Sequence, residues 1–321
     1  MKTLSMIHDI IGSIGKILFV VDGYDNDGLT CGAIAKKFAE DRGFDYKIIW
    51  LDRGKQIVKK PIAYCKTKAE RDNNQTGEDL VKVINSSLCD NDVCIFADVA
   101  PIKEQYEAIK YKDRIYICDH HKLNYEPINH FYSDEVCGAG LLSHFLYGYE
   151  IELELVKYVC DRDLWKFNHA PITHYIHMAL SSGEFDLDFL ADQSDHWFTL
   201  DDRLIERGKE IYNEYLAKID EYIRDNFIRT ITFDVDGNML NIAITKGVDG
   251  LYISDVLDKI QKMDSTIDIA INVNYNNETN KYNYGVRSRK GKGALIWEKF
   301  GGGGHANGQT GGFQLDYDLF S

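Results

Sequence analysis

Three short apolar runs, each ending in an acidic residue, constrain the fold of this chain most strongly. Residues 16–22 (KILFVVD), 93–98 (VCIFAD) and 114–119 (RIYICD) are rich in β-branched and aromatic residues, and helix-like stretches lie between them. Near-continuous apolar strands that alternate with helices are typical of a parallel sheet covered by helices on both faces. The sequence therefore predicts an α/β domain with a doubly wound parallel sheet.

The acids at the strand ends are expected to lie close together, because ligands of an open parallel sheet bind beyond the carboxyl ends of its strands. The runs are followed or ended by Asp25 and Asp27, by Asp98, and by Asp119, His120 and His121. Carboxylates packed this closely repel one another unless cations neutralise them. Oxygen donors with one or two imidazoles suit Mn²⁺ or Mg²⁺ better than zinc or copper. A metal site at this edge of the sheet is the prediction.

Each acid also has a purely structural explanation. Residues 25–28 (DNDG) form a common turn sequence, and Asp98 could cap the helix that follows Pro101. An EF-hand calcium loop does not fit, since it needs an acid at Gly23 and a glutamate at Ile34. Adjacent histidines after a strand and an acid are much rarer, and they favour a functional site.

Composition limits the class of protein. A chain of 321 residues is typical of two domains, and its net charge of −14 argues against a broad basic surface that coats nucleic acid. No apolar run is long enough for a membrane helix, so we expect a cytoplasmic protein without a membrane partner. The seven cysteines are scattered and form no CxxC pair. They predict small buried residues in a reducing compartment rather than a disulfide framework.

The domain organisation follows from a change of pattern near residue 200. Apolar residues at three-or-four spacing over 201–224 predict a long amphipathic helix. Beyond it, Asp236-Gly237 predicts a hairpin turn, and alternating strands indicate a smaller α+β domain. We therefore expect a catalytic domain at 1–195, a linker helix at 196–227 and a substrate-binding domain at 228–321. Segment 55–80 gives no clear prediction.

The motifs together resemble the DHH phosphoesterase superfamily, which includes RecJ exonucleases and nanoRNase-type oligoribonucleases. They are DNDG at 25–28, the acid Asp98, the series Asp119-His120-His121 and CDRDLW at 160–165. The glycine run at 301–304 with His305, followed by GGF at 311–313, resembles the associated DHHA1 domain. The motifs occur in the family's order between residues 22 and 313.

The resemblance implies a role for each residue at a centre of two Mn²⁺ ions, for which Mg²⁺ is also compatible. Asp25 and Asp27 would each bind one ion, and Asp98 would bridge both. His120 and Asp161 would complete the ligand set, while Asp119 would orient or ligate and His121 would face the substrate phosphate. Asp163 is the alternative to Asp161 as a ligand, although an acid on the helix surface is the favoured interpretation of Asp163.

One departure concerns a histidine that many relatives carry two or four residues before the first acid of the DxD pair. Those positions here are Gly23 and Val21. Asp22 lies nearby and is a candidate oxygen ligand, with water as the alternative.

The C-terminal domain carries the candidate substrate contacts. Basic residues gather at 287–292 in an otherwise acidic chain, and a glycine run lets the backbone approach an anion closely. A solvated basic edge with a mobile glycine loop is the alternative. By the resemblance, phosphate or ribose would be held by Arg287, Ser288, Arg289, Gly302, Gly303, Gly304 and His305.

The expected function is hydrolysis of phosphodiester or phosphomonoester bonds in nucleotides or short oligonucleotides. The expected substrate is a nucleotide or a short single-stranded nucleic acid, and a homodimer is left open. Two alternatives stand beside it. One is a hydrolase of polyphosphate, a cyclic dinucleotide or a nucleotide 3′-phosphate, and the other is a catalytically weak nucleotide-binding regulatory protein.

Overall fold

The chain divides into two compact units, Met1–Tyr212 and Asn213–Ser321. The structure, a computed structural model, describes residues 15–52, 57–59, 75–149, 153–193, 200–225, 229–250, 252–277, 279–304 and 308–320, with backbone only at 57–59 and 75–77. The division falls inside the helix Asp202–Asp225, which agrees with the long helix predicted over 201–224. The domain boundaries at 195/196 and 227/228 stay predictions.

The first unit is built on a seven-stranded sheet in the order β4-β3-β2-β1-β5-β6-β7. Strands β2, β1, β5, β6 and β7 are parallel, whereas β3 pairs antiparallel with both β2 and β4. Strand β1 is a central strand, with β2 along one edge and β5 along the other, so the direction in which successive strands are added reverses there. The strands are β1 (Lys16–Asp22), β2 (Asp45–Asp52), β3 (Ile57–Lys59), β4 (Gln75–Asp79), β5 (Val93–Ala97), β6 (Ile115–Cys118) and β7 (His130–Phe131).

Helices cover both faces of this sheet, as the side chains of β1 show. Phe19 packs in a core with Phe38 and Leu142, whereas Val20 packs in a second core with Ile84. The helices of the unit are α1 (Asn26–Arg42), α2 (Leu80–Ser87), α3 (Lys103–Ala108), α4 (Gly138–Tyr147), α5 (Glu154–Asp163), α6 (Ile172–Ser182) and α7 (Leu187–Gln193), and α8 (Asp202–Asp225) crosses the division. The predicted doubly wound sheet is confirmed.

The second unit has a six-stranded mixed sheet in the order β12-β13-β11-β10-β9-β8. Strands β9 and β10 are parallel, and the other neighbours are antiparallel. The turn between β8 and β9 places Asp236 and Gly237 at φ 51° and 86°, which is the backbone that an Asp-Gly hairpin turn requires. Its elements are β8 (Arg229–Val235), β9 (Asn238–Lys246), α9 (Ile253–Met263), β10 (Ile269–Asn276), β11 (Lys281–Arg287), α10 (Ala294–Lys299), β12 (Gly303–Gly304) and β13 (Thr310–Leu315).

The cysteines depart from the sequence prediction at one pair. Cys137 and Cys160 form a disulfide, with their Cα atoms 5.1 Å apart. The expectation of scattered free cysteines is therefore wrong for this pair. The sequence gives no signal for it, because 23 residues separate the two cysteines and no motif marks them. Cys31, Cys94 and Cys118 are buried free thiols, as predicted.

No helix in the described part of the chain combines the length and the apolar character that crossing a bilayer requires.

Candidate metal centre

Three buried acids lie where parallel strands end. Asp22 is the last residue of β1, Asp98 follows β5, and Asp119 follows β6. Each is at most 2% exposed. The N–H of Asp98 donates to the carbonyl of Cys118 (2.9 Å), so the sheet's hydrogen bonding continues to the edge and fixes these backbones. The sheet therefore gathers the acids as the sequence predicts.

The DNDG turn places a second pair of carboxylates at the start of α1. Asp25 caps the helix by accepting a hydrogen bond from the N–H of Gly28 (3.0 Å). Asp27 accepts hydrogen bonds from the N–H groups of Gly138 (2.7 Å) and Ala139 (2.8 Å), at the beginning of α4. Burial, together with the charge of Asp25, raises the pKa of Asp27 to about 7 despite these two donors. A cation bound beside Asp27 would favour its ionised form.

The two adjacent histidines face different acids. The Nε2 atom of His120 lies 3.3 Å from Asp98 Oδ1 and 3.6 Å from Asp163 Oδ2, and the side chain is 7% exposed. His121 is 35% exposed, and its Nδ1 lies 2.8 Å from Asp119 Oδ1. The same oxygen accepts the backbone N–H of His121 (3.1 Å). Asp119 thus orients an imidazole that solvent and substrate can reach.

These side chains form three overlapping groups whose potential ligand atoms lie within 4.8 Å of one another. The groups are Asp22, Asp25 and Asp98; Asp27, His120 and Asp163; and Asp98, Asp119, His120 and His121. Asp98 and His120 each belong to two groups, so the groups share one site. Carboxylates and imidazoles without a thiolate are a donor set that fits Mn²⁺ or Mg²⁺. The residues present therefore fit divalent cations.

The structure places Asp161 and Asp163, the two acids of the CDRDLW motif, in different surroundings. The Asp161 carboxylate accepts hydrogen bonds from the N–H groups of Asn168 (2.7 Å) and His169 (3.0 Å) and from the hydroxyl of Thr173. Both of its oxygens hold the loop after α5, and it is not among the metal-binding groups that the described residues form. Asp163, expected to be a surface acid, lies against His120 instead. Asp163 is therefore the candidate ligand that the geometry favours, and the ligand role of Asp161 stays a prediction.

The structure accounts for the missing histidine before the DxD pair. Val21 is fully buried in the core. The N–H of Gly23 donates to the carbonyl of Leu51 (2.9 Å), and a Cβ on Gly23 would lie 3.3 Å from Trp50 Cβ. Neither position therefore directs a side chain to the acids without rearrangement. Asp22 lies with Asp25 and Asp98 instead, which supports it as a candidate ligand.

Several groups that support the site were not predicted from the sequence. Asp98 has a φ of 59°, a strained backbone for a residue other than glycine. A Cβ on Gly138 would overlap the side chain of Asp98, so this glycine makes room for it. The amide of Asn26 donates to Ser181 Oγ (2.9 Å) and to the carbonyl of His177 (3.0 Å), which fastens the turn to α6. Asn26, which stands between two acids, is the one sequence signal for these supports, because Gly138 has no acidic neighbour in the chain.

The basic stretch of the second unit is held mainly by its own fold. Ser288 is fully buried, and its hydroxyl donates to the carbonyl of Asp268 (2.8 Å) and accepts from the N–H of Lys292 (2.9 Å). These bonds give the Ser288 hydroxyl a structural role, and its contact with substrate stays a prediction. Arg287 is 4% exposed and donates to the hydroxyl of Thr310. Its burial likewise favours a structural role. The Nε atom of Arg289 lies 3.7 Å from Oδ1 of Asp258, and the Arg289 side chain is half-exposed.

The glycine run forms a strand rather than a mobile loop. Gly303 and Gly304 make up β12 and pair with Gly312 and Gly311 of β13. Side chains at Gly304 and Gly311 would both overlap the indole of Trp297, so these glycines let the strands pack closely over it. The N–H of Gly302 donates to the carbonyl of Trp297 (2.7 Å). His305 lies outside the described residues, and substrate binding by this run stays a prediction.

Comparison with solved structures finds the same fold in several proteins, among them one of the RecJ exonucleases that the motifs resemble. The exonuclease RecJ bound to manganese matches with a TM-score of 0.54 at 14% identity, over 98% of this chain and 90% of that one. An exopolyphosphatase-related protein from Bacteroides fragilis matches with a TM-score of 0.52 at 13% identity, over 98% and 92%. The pGpG-specific phosphodiesterase PggH from Vibrio cholerae matches with a TM-score of 0.50 at 12% identity, over 94% and 93%.

No family model and no curated protein matches this chain. At identities this low, the solved structures establish the shared two-domain fold, while the chemistry has to be argued from the residues of this chain.

Proposed function

We propose that the protein is a metal-dependent phosphoesterase that hydrolyses phosphate esters of nucleotides or short oligonucleotides. The observation that carries the proposal is the set of overlapping ligand groups joined by Asp98 and His120, next to the half-exposed His121. The RecJ structure that shares the fold is described as bound to manganese. Two bound divalent ions would lower the pKa of a water and offset charge on the phosphate oxygens.

The residues of this site have different roles in the proposed reaction. Asp98 is common to two ligand groups, so we assign it the bridging position. We assign Asp27 as a metal ligand whose carboxylate is oriented by two N–H groups of α4. Asp119 holds Nδ1 of His121, and we therefore assign the contact with the substrate phosphate to Nε2 of this imidazole. A fixed donor at that point stabilises negative charge as the phosphorus is attacked.

We propose Mn²⁺ as the preferred ion, because the candidate ligands are carboxylates and imidazoles, and the buried thiol of Cys31 is disfavoured from ionising. Burial, together with the charges of Asp27, Asp98 and Asp25, raises the pKa of Cys31 well above its usual value. A neutral thiol is a weak ligand for zinc. The proposed substrate class rests on the resemblance of the motifs and on the names of the structural neighbours, one of which is specific for pGpG.

The deciding experiment is a substrate panel assayed with Mn²⁺, Mg²⁺ and after removal of metal. It would contain short oligonucleotides, a linear and a cyclic dinucleotide, a nucleotide 3′-phosphate and polyphosphate. We expect Mn²⁺-dependent release of mononucleotides, and Asp98→Asn should lose several orders of magnitude in kcat. Turnover of polyphosphate alone would shift the substrate class. Activity that survives complete chelation would contradict the proposal, and binding without turnover would support a regulatory protein.

A further inference from the structure

The disulfide joins the two helices that flank one of the ligand groups. Cys137 is the N-cap residue of α4, and the next two N–H groups of that helix hold the carboxylate of Asp27. Cys160 lies on α5, three residues before Asp163. Asp27 and Asp163 belong to the same group with His120. The cross-link therefore connects the helix that orients one ligand to the helix that carries another.

The surrounding residues are fitted to this cross-link. The N–H of Gly140 donates to the Sγ atom of Cys137 (3.4 Å), and a Cβ on Gly140 would lie 3.1 Å from the Sγ atom of Cys160. A larger residue at Gly140 would crowd the disulfide. On the other side, Asp161 fastens the loop after α5 through its carboxylate. With the disulfide intact, the segment from Cys160 to His169, which contains Asp163, is held at both ends.

The two sulfur atoms differ in access. Cys137 is fully buried, whereas Cys160 is half-buried. Cys160 is therefore the more accessible residue of the pair for an incoming thiolate. The thiolate of a dithiol reductant attacks Cys160 Sγ, and the electron pair of the S–S bond passes to Cys137 Sγ, which takes up a proton. The second thiol of the reductant then attacks the mixed disulfide, releases Cys160 as a thiol and leaves the reductant as a cyclic disulfide.

We propose that the Cys137–Cys160 disulfide is a redox-modification site through which a dithiol reductant lowers the affinity of the Asp27–His120–Asp163 group for a divalent cation. The inference rests on the proposed metal centre. Once the cross-link is cut, α4 and α5 can separate by small movements, and the oxygen atoms of Asp27 and Asp163 no longer keep a fixed spacing. Substitution of the residues that position metal ligands typically lowers metal affinity by roughly 10–100-fold.

The test measures Mn²⁺ binding directly, by the electron paramagnetic resonance signal of the free ion. The full-length protein is titrated in its oxidised form and after reduction by dithiothreitol, which is removed without air before Mn²⁺ is added. We expect the affinity of one site to fall roughly 10–100-fold on reduction, and reoxidation should restore it. Asp163→Asn should bind weakly at the same site in both redox states, which identifies the site affected.

Two cysteine variants separate the cross-link from other thiols and from misfolding. Cys137→Ser breaks the link but keeps an N-cap side chain, because serine is a favoured capping residue. It should bind Mn²⁺ like the reduced protein and should not respond to dithiothreitol. Cys89→Ser removes an exposed free thiol and should respond like the wild type. Circular dichroism of each form shows whether it is folded.

Each outcome bears on one of the two proposals. Equal Mn²⁺ affinities in the oxidised, reduced and Cys137→Ser proteins would overturn the redox inference and leave the proposed function intact. A redox response in Cys137→Ser would also overturn it, since another thiol would then be responsible. Absence of Mn²⁺ binding in the oxidised wild type would instead contradict the proposed metal centre.

Discussion

Two acids on one helix, Asp161 and Asp163, have separate tasks because of the helix geometry. Residues two positions apart on an α-helix point in different directions, since each residue turns the chain by about 100°. Asp161 points to the loop after α5 and binds its N–H groups, whereas Asp163 points to His120. The sequence of a motif with two acids at this spacing does not show which of the two faces the candidate metal centre.

The first prediction separates these two acids by their effects on activity and on stability. Asp163→Asn should weaken metal binding and lower kcat more than about 100-fold, because it removes a ligand rather than an outer support. Asp161→Asn should mainly destabilise the fold, by roughly 1.5–3 kcal/mol for weakened hydrogen bonds to a charged group. Steady-state kinetics with saturating Mn²⁺ and urea unfolding of both variants provide the comparison. If Asp161→Asn loses activity while remaining fully stable, the assignment is reversed.

The second prediction concerns Asp268, which holds the basic stretch of the second unit. Burial opposes its ionisation, but hydrogen bonds from Lys292, the N–H of Asn241 and Lys290 lower its pKa from 3.8 to about 2. A depressed carboxyl pKa gives stability that is present above the unfolded value and is lost as the pH falls toward the folded value. Asp268→Asn should therefore be less stable than the wild type near neutral pH.

The measurement is urea unfolding of the wild type and Asp268→Asn at several pH values. The difference in unfolding free energy should be constant above about pH 5. It should shrink as the pH falls through 3.8 toward about 2. A difference that does not change over this range would mean that the substitution acts through packing rather than through the charge.

At the scale of residues, the sequence predicts what depends on the strand pattern. Asp98 and Asp119 were predicted because an acid directly after a buried strand must lie at the edge of the sheet. The roles of Ser288 and Cys137 were not predicted, because they depend on which distant groups the folded chain brings near them. Burial turned Ser288 inward to Asp268, and the packing of α4 on α5 brought Cys137 to Cys160.

At the scale of elements, continuous apolar runs and strong turn sequences gave correct predictions. Strands β1, β5 and β6, the hairpin at Asp236-Gly237 and helix α8 lie where the patterns indicate. Strands β3 and β4 were not predicted, because residues 57–59 and 75–79 are short, and β4 is almost entirely polar. The glycine run also gave no strand signal, since glycine is unfavourable in strands and the pairing of β12 follows from packing over Trp297.

The third prediction tests how α4 is positioned against the metal centre. Gly138→Ala places a Cβ where Asp98 lies, so either α4 or the backbone of Asp98 has to move. We expect a loss of about 1–3 kcal/mol in stability, the usual cost of an overfilled core. We also expect a fall in kcat, because Asp98 and the N–H groups that hold Asp27 shift together.

The control is Gly250→Ala, since a Cβ at this exposed glycine has no atom within 4 Å. It should change stability by no more than about 0.5 kcal/mol. Thermal unfolding and Mn²⁺-dependent kinetics of both variants provide the data. A Gly138→Ala protein that behaves like the control would show that α4 and Asp98 can separate without cost.

At the scale of the whole molecule, the candidate metal ligands all belong to the first compact unit. They lie between Asp22 and Asp163, whereas the second unit begins at Asn213. The stretch from 287 to 292 contributes mainly to its own unit, through Ser288 and through the lysines that pair with Asp268. Metal binding and the stability of the second unit should therefore be separable.

The last prediction is that Mn²⁺ protects the first unit from hydrogen exchange and leaves the second unit unchanged. A ligand that binds only the native state stabilises it by RT ln(1 + [L]/Kd), about 2.7 kcal/mol when the ligand is at 100 times its Kd. The gain should appear in peptides that contain the ends of β1, β5 and β6 and the start of α4, because these backbones hold the ligands. Peptides within 229–320 should exchange at the same rate with and without Mn²⁺.

The measurement is hydrogen exchange of the full chain followed by mass spectrometry, with Asp98→Asn as the control that should lose the protection. Protection that appears equally in both units would show that they unfold together. Protection confined to 229–320 would place the metal outside the sheet edge and would contradict the site assigned to Asp98 and His120.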